Sequence, residues 1–225
     1  MRSRSWGEFE RTDFTEVWVN KEITPKFFAW VTPVEDDLAR VGTFGTLEEL
    51  NRFLRVRMLK PTSSIEFKAG SVGLGWRKPW IRENVALIGG DAALQIKPTT
   101  AGGIAYGMLC AHALRKALIE GAPERYWNYC SWVRKQISFG LKFRKLFLGL
   151  DQEAIEKIFE VLKSEEAREV IESQADFDDH WRTAKAILRK PSLLARLIKV
   201  SPSIIRHCCE VRRWPDGRWA SKRST

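Results

Sequence analysis

Cysteines are few in this sequence, and their spacing fits neither a disulfide framework nor a zinc site. Four cysteines occur in 225 residues, and no two of them form a Cys-x-x-Cys pair. Closely spaced, paired cysteines are typical of small secreted domains, so we expect free thiols in a reducing compartment. His207, Cys208 and Cys209 are of metal-ligand type, but a structural zinc site needs four ligands and a convincing fourth is missing. We therefore expect no metal.

Long apolar segments are also missing. Residues 1–10 contain Arg2 and Arg4 but no apolar run of the kind that a signal peptide requires. The longest charge-free stretch, residues 98–114, is shorter than a membrane-spanning helix and contains several glycines and His112. We expect a cytoplasmic protein in which this stretch forms a buried helix.

Acidic residues are outnumbered by basic ones. The chain has 38 Lys+Arg against 28 Asp+Glu, a net charge of +10 and a pI near 9.6, which favours an anionic partner. Between Arg125 and Lys145, basic residues are interleaved with aromatic ones, a pattern that suits peripheral contact with an anionic membrane surface. Solvated helix faces are the alternative interpretation. Because no nucleic-acid recognition motif accompanies the charge, we expect no nucleic-acid partner.

Hydrophobic periodicity predicts an α+β fold in which the sheet precedes the helices. β-formers alternate over residues 9–45, which predicts an antiparallel meander with Pro33 between its last two strands. A capping-box pattern, Thr46 with Glu49, opens a helix that reaches about Met58. The apolar face of this helix consists of Leu47, Leu50, Phe53 and Leu54. Further strands are predicted at 64–74 and 84–89, and helices at 99–119, 123–147, 151–163, 164–175, 178–189 and 191–209.

These elements divide the chain into three segments. Residues 1–83 form an antiparallel sheet with one helix, residues 84–120 a strand-loop-helix element, and residues 121–225 a helical region.

The strand-loop-helix element carries the chemistry of a binding site. A buried apolar strand, Val85 to Ile88, ends in Gly89-Gly90-Asp91, and a short loop then leads through Pro98 into a helix. The glycines permit close backbone approach, and Asp91 offers an anionic acceptor for sugar hydroxyls. The helix begins with small residues, where free N–H groups and the positive end of the dipole attract negative charge. A plain strand-turn-helix with Asp91 as a cap is the alternative.

Two motifs resemble those of the geranylgeranyl reductase family, FAD enzymes of the p-hydroxybenzoate hydroxylase-like fold. Gly90-Asp91-Ala-Ala followed by Lys97-Pro98-Thr-Thr-x-Gly102-Gly103-Ile resembles the family's second flavin-binding motif. Pro25-Lys-Phe-Phe28-Ala-Trp30-Val-Thr-Pro33, followed by Arg40-Val-Gly42-Thr-Phe-Gly45, resembles the family's Pro-x-x-Tyr-x-Trp-x-Phe-Pro segment and the strand after it. The resemblance covers about residues 20–120, and the helical remainder is only loosely similar.

The resemblance implies that FAD is the cofactor and that reduced flavin delivers hydride to isoprenoid C=C bonds, as in archaeal-type prenyl lipids. Asp91 would bind the ribityl chain, and the helix start would lie near the flavin pyrimidine. The residues assigned to the cofactor are Gly89, Gly90, Asp91, Pro98, Thr99, Thr100, Ala101, Gly102 and Gly103. Those assigned to the prenyl substrate are Pro25, Phe28, Trp30 and Pro33, with a sheet-core role as the alternative for Phe28 and Trp30. Catalytic residues are not identified.

The sequence departs from the family in four respects. Ala101 stands where the family usually has Gly, Phe28 where it has Tyr, and Thr32 where it has Phe. The Rossmann Gly-x-Gly-x-x-Gly, which binds the ADP half of FAD, is missing. The resemblance therefore implies a C-terminal half, either a split subunit that needs an N-terminal Rossmann-domain partner chain, a truncation or a remnant. A non-catalytic fragment that binds a partner or a membrane is the alternative.

Overall fold

The computed structural model describes residues 14–35, 38–61, 63–77, 81–82, 85–86 and 90–200. The chain divides into two compact units, residues 1–71 and residues 72–225. The first unit contains the antiparallel sheet, and the second contains the glycine-rich motif and most of the helices.

The first unit contains a three-stranded antiparallel sheet in the order β1-β2-β3. Its strands are β1 (Glu16–Trp18), β2 (Ala29–Glu35) and β3 (Leu38–Thr43), which confirms the predicted meander. β2 continues through Pro33, where the sequence predicted a break between strands. The register shifts between Pro33 and Glu35, and such an irregularity accommodates a residue that has no backbone N–H.

Alternation along β2 gives the sheet two different faces. Ala29 and Val31 point to one face, where both are fully buried. They pack there in a core with Ile23, Ala39, Phe53 and Leu59. The intervening Trp30 points to the opposite face and is only half-buried. The sheet therefore has one face in this core and a second face that carries partly exposed side chains.

Helix α1 (Leu47–Val56) supplies Phe53 to that core. The predicted capping box is confirmed, because Thr46 Oγ1 accepts from the Glu49 N–H at 3.3 Å and Glu49 Oε2 accepts from the Thr46 N–H at 2.6 Å. The prediction that Leu47 lies on the buried face is wrong, since its side chain is 57% exposed. Glu49, whose carboxylate closes the cap, takes the buried position in the first turn instead.

The predicted strand at residues 64–74 is not formed. Ile65 and Phe67 are 64% and 61% exposed, and the backbone from 64 to 74 has no regular structure. An alternating pattern forms a strand only if a neighbouring strand accepts its hydrogen bonds. In the described part of the chain, no strand of either sheet pairs with this segment.

The second unit begins with a two-stranded antiparallel pair, β4 (Ile81–Arg82) and β5 (Val85–Ala86). β5 confirms part of the strand predicted at 84–89, and residues 87–89 lie outside the described residues. A 3₁₀ turn at Gly90–Ala93 follows. The remaining helices are α2 (Ile104–Ile119), α3 (Tyr126–Tyr129), α4 (Ser131–Leu148), α5 (Gln152–Leu162), α6 (Glu165–Gln174), α7 (His180–Leu188) and α8 (Pro191–Val200).

Two of the predicted helix boundaries are wrong. The helix expected from residue 99 begins at Ile104, because residues 97–102 close a loop of their own. The helix expected over 123–147 is interrupted at Cys130, whose backbone (φ −83°, ψ 8°) ends α3 and precedes α4. The helix expected over 191–209 is confirmed as far as Val200, and its remainder lies outside the described residues.

Two apolar clusters hold the helices of the second unit together. The first joins α2 to α3 and α4 and consists of Tyr106, Cys110, Ala113, Leu114, Ala117, Tyr126, Cys130, Val133 and Ile137. The second joins α5, α6, α7 and α8 and consists of Val161, Ala167, Val170, Ala186, Leu193 and Leu197. Full burial of a large apolar side chain contributes about 1.5–3 kcal/mol. The start of α2, where the glycine-rich motif ends, is thus attached to a packed core.

An ion pair between Glu16 and Arg57 makes the first unit sensitive to acid. Arg57 donates from Nε to Glu16 Oε2 at 3.1 Å and from Nη2 to Oε1 at 3.0 Å. These bonds lower the pKa of Glu16 below its usual value. A lowered folded-state pKa stabilises the fold above the unfolded-state pKa, and this stability is lost as pH falls through the folded-state pKa.

We expect Glu16→Gln to lower the free energy of unfolding by about 1–2 kcal/mol at neutral pH and not at all in acid, because the protonated glutamate no longer pairs with Arg57. Urea unfolding across pH measures the change.

Glu48→Gln is the matched control on α1. Glu48 is 81% exposed and pairs with Arg52 one turn along the helix, an arrangement that contributes about 0.5 kcal/mol or less. Equal losses in the two variants, or a loss in Glu16→Gln that does not change with pH, would contradict the assignment.

Candidate functional site

The Gly90–Ala93 turn places an exposed carboxylate beside open backbone. The Leu94 N–H donates to Asp91 O at 3.0 Å and the Gln95 N–H to Gly90 O at 2.8 Å, which closes the turn. Gly90 has φ +40°, and within the described part of the chain nothing lies within 4 Å of the place where a Cβ would be. Asp91 is exposed. A ligand can therefore approach the backbone of Gly90 and the carboxylate of Asp91 from solvent. Gly89 lies outside the described residues.

The loop that follows is closed by backbone hydrogen bonds and anchored by Pro98. The Lys97 N–H donates to Gly102 O at 2.9 Å, and the Ala101 N–H to Lys97 O at 2.9 Å. Pro98 is fully buried. A Cβ on Gly140 of α4 would lie 2.9 Å from Pro98 Cδ, so the ring packs directly on the α4 backbone. Pro98 thus attaches the loop to α4, while Thr99 and Thr100 are half-buried.

The start of α2 lies beside Asp91. A Cβ on Gly103 would be 2.8 Å from Asp91 Oδ1, so the carboxylate lies against this glycine. Gly103 is the N-cap and provides no side-chain hydrogen bond to the first turn. The first N–H groups of a helix have no acceptor within it, and they carry the positive end of the dipole. The structure therefore brings Asp91 and Gly103 together, an anionic acceptor next to backbone donors.

The glycines at 102 and 103 are required by the chain's own side chains. A Cβ on Gly102 would lie 2.8 Å from Lys97 Cε, and one on Gly103 would lie 2.8 Å from Ile96 Cγ2. The sequence suggested that these glycines leave room for a ligand. The structure adds an internal reason, because Lys97 and Asp91 already occupy the spaces beside them.

A buried network, which the sequence did not reveal, attaches the loop to the connection between α6 and α7. Lys97 Nζ donates to Asp178 Oδ1 at 2.7 Å and lies 3.7 Å from the centre of the Phe177 ring. Tyr106, on the first turn of α2, donates from its hydroxyl to the backbone oxygen of Asp178 at 2.8 Å. The Lys97–Asp178 ion pair joins residues 81 positions apart. Nothing in the local pattern around Lys97 could have indicated its partner.

His180 lies next to this network at the start of α7. Its ring nitrogens are 3.4 Å from Thr99 Oγ1. Burial, together with the nearby charge of Lys97, lowers the pKa of His180 below its usual value. Both causes disfavour the charged imidazole, and the ring contributes a weak polar contact to the loop.

Gln95 connects the same loop to α3. Its side chain is fully buried and Nε2 donates to the Tyr126 hydroxyl at 2.8 Å. Burial raises the pKa of Tyr126 well above its usual value, so the hydroxyl stays protonated. Cys110 and Cys130, which interact with Tyr126, are buried free thiols, as predicted for the described cysteines.

In the first unit, Phe28 and Trp30 form an aromatic cluster with Phe44. The Phe28 ring centre is 5.8 Å from that of Trp30 and 6.3 Å from that of Phe44. All three side chains are half-buried and lie outside the core cluster that α1 covers. Trp30 pairs across the sheet with Gly42, and its indole covers the space that a side chain there would need. Pro25 is exposed, and Pro33 lies at the β2 irregularity.

In the described part of the chain, no three His, Cys, Asp or Glu side chains are grouped as a metal ion would require. His207, Cys208 and Cys209 lie outside that part. Among the helices given above, none is both long enough and apolar enough to cross a bilayer.

Comparisons with known proteins agree with the resemblance carried by the two motifs. No family model matches the chain. An uncharacterised protein of Methanocaldococcus jannaschii is 28% identical over 74% of this chain and 46% of its own length. Archaeal digeranylgeranylglycerophospholipid reductases are also similar. Reductase 2 of Methanothermobacter thermautotrophicus is 29% identical over 67% of this chain and 43% of its own length.

A reductase of the same name from Methanocaldococcus jannaschii is 25% identical over 84% of this chain and 53% of its own length. The chain thus spans about half the length of the curated relatives that it matches.

Ala101 provides a test of the loop conformation. Its φ of +58° lies in the left-handed region, which costs alanine about 1–2 kcal/mol but not glycine. Ala101→Gly relieves this strain and adds freedom to the unfolded chain, so we expect the free energy of unfolding to rise by about 0.5–1 kcal/mol. Urea unfolding measures the change.

The control is the same substitution in a different backbone conformation. Ala111 is exposed in the middle of α2, and Ala111→Gly is expected to lower the free energy of unfolding by about 1 kcal/mol. If both variants are destabilised to the same extent, the loop does not have the described conformation.

Proposed function

We propose that this chain is the flavin- and substrate-binding part of an FAD-dependent oxidoreductase that reduces isoprenoid C=C bonds. Several relatives are named digeranylgeranylglycerophospholipid reductase, which supports a reductase acting on an archaeal-type prenyl lipid. The observation that carries the proposal is the contact of Asp91 Oδ1 with Gly103 at the N-terminus of α2, within the motif that resembles a flavin-binding one.

The groups at this point fit a flavin. Ribityl hydroxyls are donors and need an acceptor such as the exposed carboxylate of Asp91. Reduced flavin carries negative charge near N1 and O2, which backbone N–H groups at the start of α2 would stabilise. The open side of Gly90 leaves room for close approach. Bound flavin would supply the hydride, and the chain's own residues bind and orient it.

The prenyl substrate is assigned to the aromatic cluster of Phe28, Trp30 and Phe44. An uncharged polyene is bound best by aromatic and aliphatic walls. These rings are half-buried, so part of their aromatic surface remains accessible to a substrate. Pro25 and Pro33 flank them in sequence and are assigned to the same substrate.

Localisation is proposed as cytoplasmic, with peripheral contact between the protein and an anionic membrane surface. Trp132 and Phe143 of α4 are 40% and 46% exposed, and Lys135 lies between them on the same helix and is exposed. Aromatic rings with a nearby cation suit the headgroup region, where a prenyl lipid would be reached.

The proposal includes a partner chain that contacts the ADP half of FAD. The named relatives are about twice as long as their match to this chain. The solvent-facing side of α2 exposes large apolar groups, with Ile104 at 84%, Met108 at 69% and Ile119 at 70%. An apolar stripe of this kind is typical of an interaction surface. We assign it to a Rossmann domain that binds the ADP half of FAD.

Asp91→Asn tests the flavin site. Loss of the carboxylate removes charged hydrogen bonds worth about 1.5–3 kcal/mol, so we expect FAD affinity to fall at least about tenfold. Quenching of flavin fluorescence on titration of the chain with FAD, and the visible absorption spectrum of the purified protein, measure this.

Glu169→Gln, an exposed change on α6, is the matched control and should leave FAD binding unchanged. Unchanged affinity in Asp91→Asn would contradict the flavin assignment and favour a non-catalytic fragment.

The α2 surface can be tested with a defined probe. The part of the Methanothermobacter thermautotrophicus reductase 2 that lies outside its match to this chain is produced as a separate polypeptide and mixed with this chain and FAD. We expect a complex that retains flavin through gel filtration, and we expect Ile104→Glu with Met108→Lys to abolish it.

Val56→Lys, at the 50% exposed last residue of α1, is the control and should leave the complex intact. The assignment of the surface is contradicted if no complex forms, or if the double α2 variant forms it equally well.

A further inference from the structure

Lys97 is a buried cation within the loop that is proposed to hold the flavin. Its side chain is only 4% exposed, whereas the side chain of its partner Asp178 is 42% exposed. The ammonium group lies 3.7 Å from the centre of the Phe177 ring, so one of its sides is covered by an aromatic face. A buried lysine that bonds a single half-exposed carboxylate is an expensive arrangement for stability alone.

The Lys97 side chain lies beside Gly102. A Cβ on Gly102 would be 2.8 Å from Lys97 Cε and 3.4 Å from Nζ, so the lysine takes the side of this glycine on which a side chain would project. On the next residue, Gly103, the Asp91 carboxylate takes the corresponding position. A ligand that contacts this pair of glycines therefore has a cation beside one of them and an anion beside the other.

Water screens the two charges of the ion pair to different extents. Water screens the half-exposed carboxylate of Asp178, whereas the ammonium of Lys97 is in a low-dielectric environment. The neighbouring carboxylates have other partners: Asp179 accepts from Gln136, and Asp176 accepts from the backbone N–H groups of residues 178 and 179. Lys97 thus adds a positive charge beside Gly102, close to the N-terminus of α2, whose dipole has the same sign.

We infer that Lys97 and Asp178 together set the reduction potential of the flavin bound at the start of α2. This inference rests on the proposed function. Lys97 acts from beside Gly102 without contact to the flavin, as a positioning residue, and its charge favours the reduced, negatively charged flavin over the oxidised form. Asp178 holds the ammonium in place and offsets part of its charge.

Two substitutions with opposite effects test the inference. Lys97→Met removes the cation, so we expect the affinity for reduced FAD to fall about tenfold relative to oxidised FAD. For a two-electron couple this corresponds to a midpoint potential about 30 mV more negative. Asp178→Asn removes the offsetting charge and keeps the backbone oxygen that Tyr106 binds. We expect it to shift the potential in the opposite direction.

The measurements are the midpoint potential of FAD bound to the chain and the dissociation constants of its two redox forms. Lys97→Arg keeps the charge and should restore the wild-type potential. If the ion pair has only a structural role, Lys97→Met and Asp178→Asn each lower the affinity of the chain for oxidised FAD and for reduced FAD by the same factor. That result, or unchanged potentials in both variants, overturns the inference.

The inference and the proposed function can fail separately. If the wild-type chain, alone and with the reductase 2 polypeptide described above, binds neither redox form of FAD, the proposed function fails and this inference fails with it. If the wild-type chain binds FAD and only the opposite shifts are missing, the inference alone fails. Asp178→Asn changes a half-exposed residue, so the sign of its shift decides the question even if Lys97→Met does not fold.

Discussion

The start of α2 depends on how the preceding loop is closed and anchored. Two backbone hydrogen bonds between Lys97 and residues 101 and 102 close it. The Lys97–Asp178 ion pair and the packing of Pro98 on Gly140 then fix it to the later helices. These contacts couple the position of the loop to that of α4 and to that of the connection between α6 and α7. The candidate flavin site is therefore built by residues far apart in sequence.

The glycines of the motif have two different physical roles. Gly90 has a positive φ and faces open space, so it leaves the backbone accessible. Gly102 and Gly103 have neighbouring side chains where their own would be, so they bring Lys97 and Asp91 close to the backbone. A motif read only as room for a ligand misses the second role. In this protein the second role places a cation beside Gly102 and an anion beside Gly103.

Sequence patterns predicted those features that are determined locally. The Thr46–Glu49 capping box, the three-stranded meander and most helices depend on nearby residues and were predicted correctly. The strand at 64–74 was wrong because a strand depends on a partner. The start of α2 was wrong because residues 97–102 close a loop through their own backbone hydrogen bonds, which the contacts of Lys97 and Pro98 with later elements hold in place. The partnership of Lys97 with Asp178 is likewise non-local. Asp91 could be found because its motif is contiguous.

The chemistry of the described site is that of binding and electrostatics more than of proton transfer. Its polar groups are backbone N–H donors, the Asp91 carboxylate and the Lys97–Asp178 pair. Burial and the charge of Lys97 lower the pKa of His180, the nearby group whose usual pKa is closest to neutrality. A cofactor that carries its own reactivity needs from the protein only orientation, a suitable field and exclusion of water. In the proposed flavoenzyme, the charges beside Gly102 and Gly103 would provide the first two, so few titratable side chains would be required there.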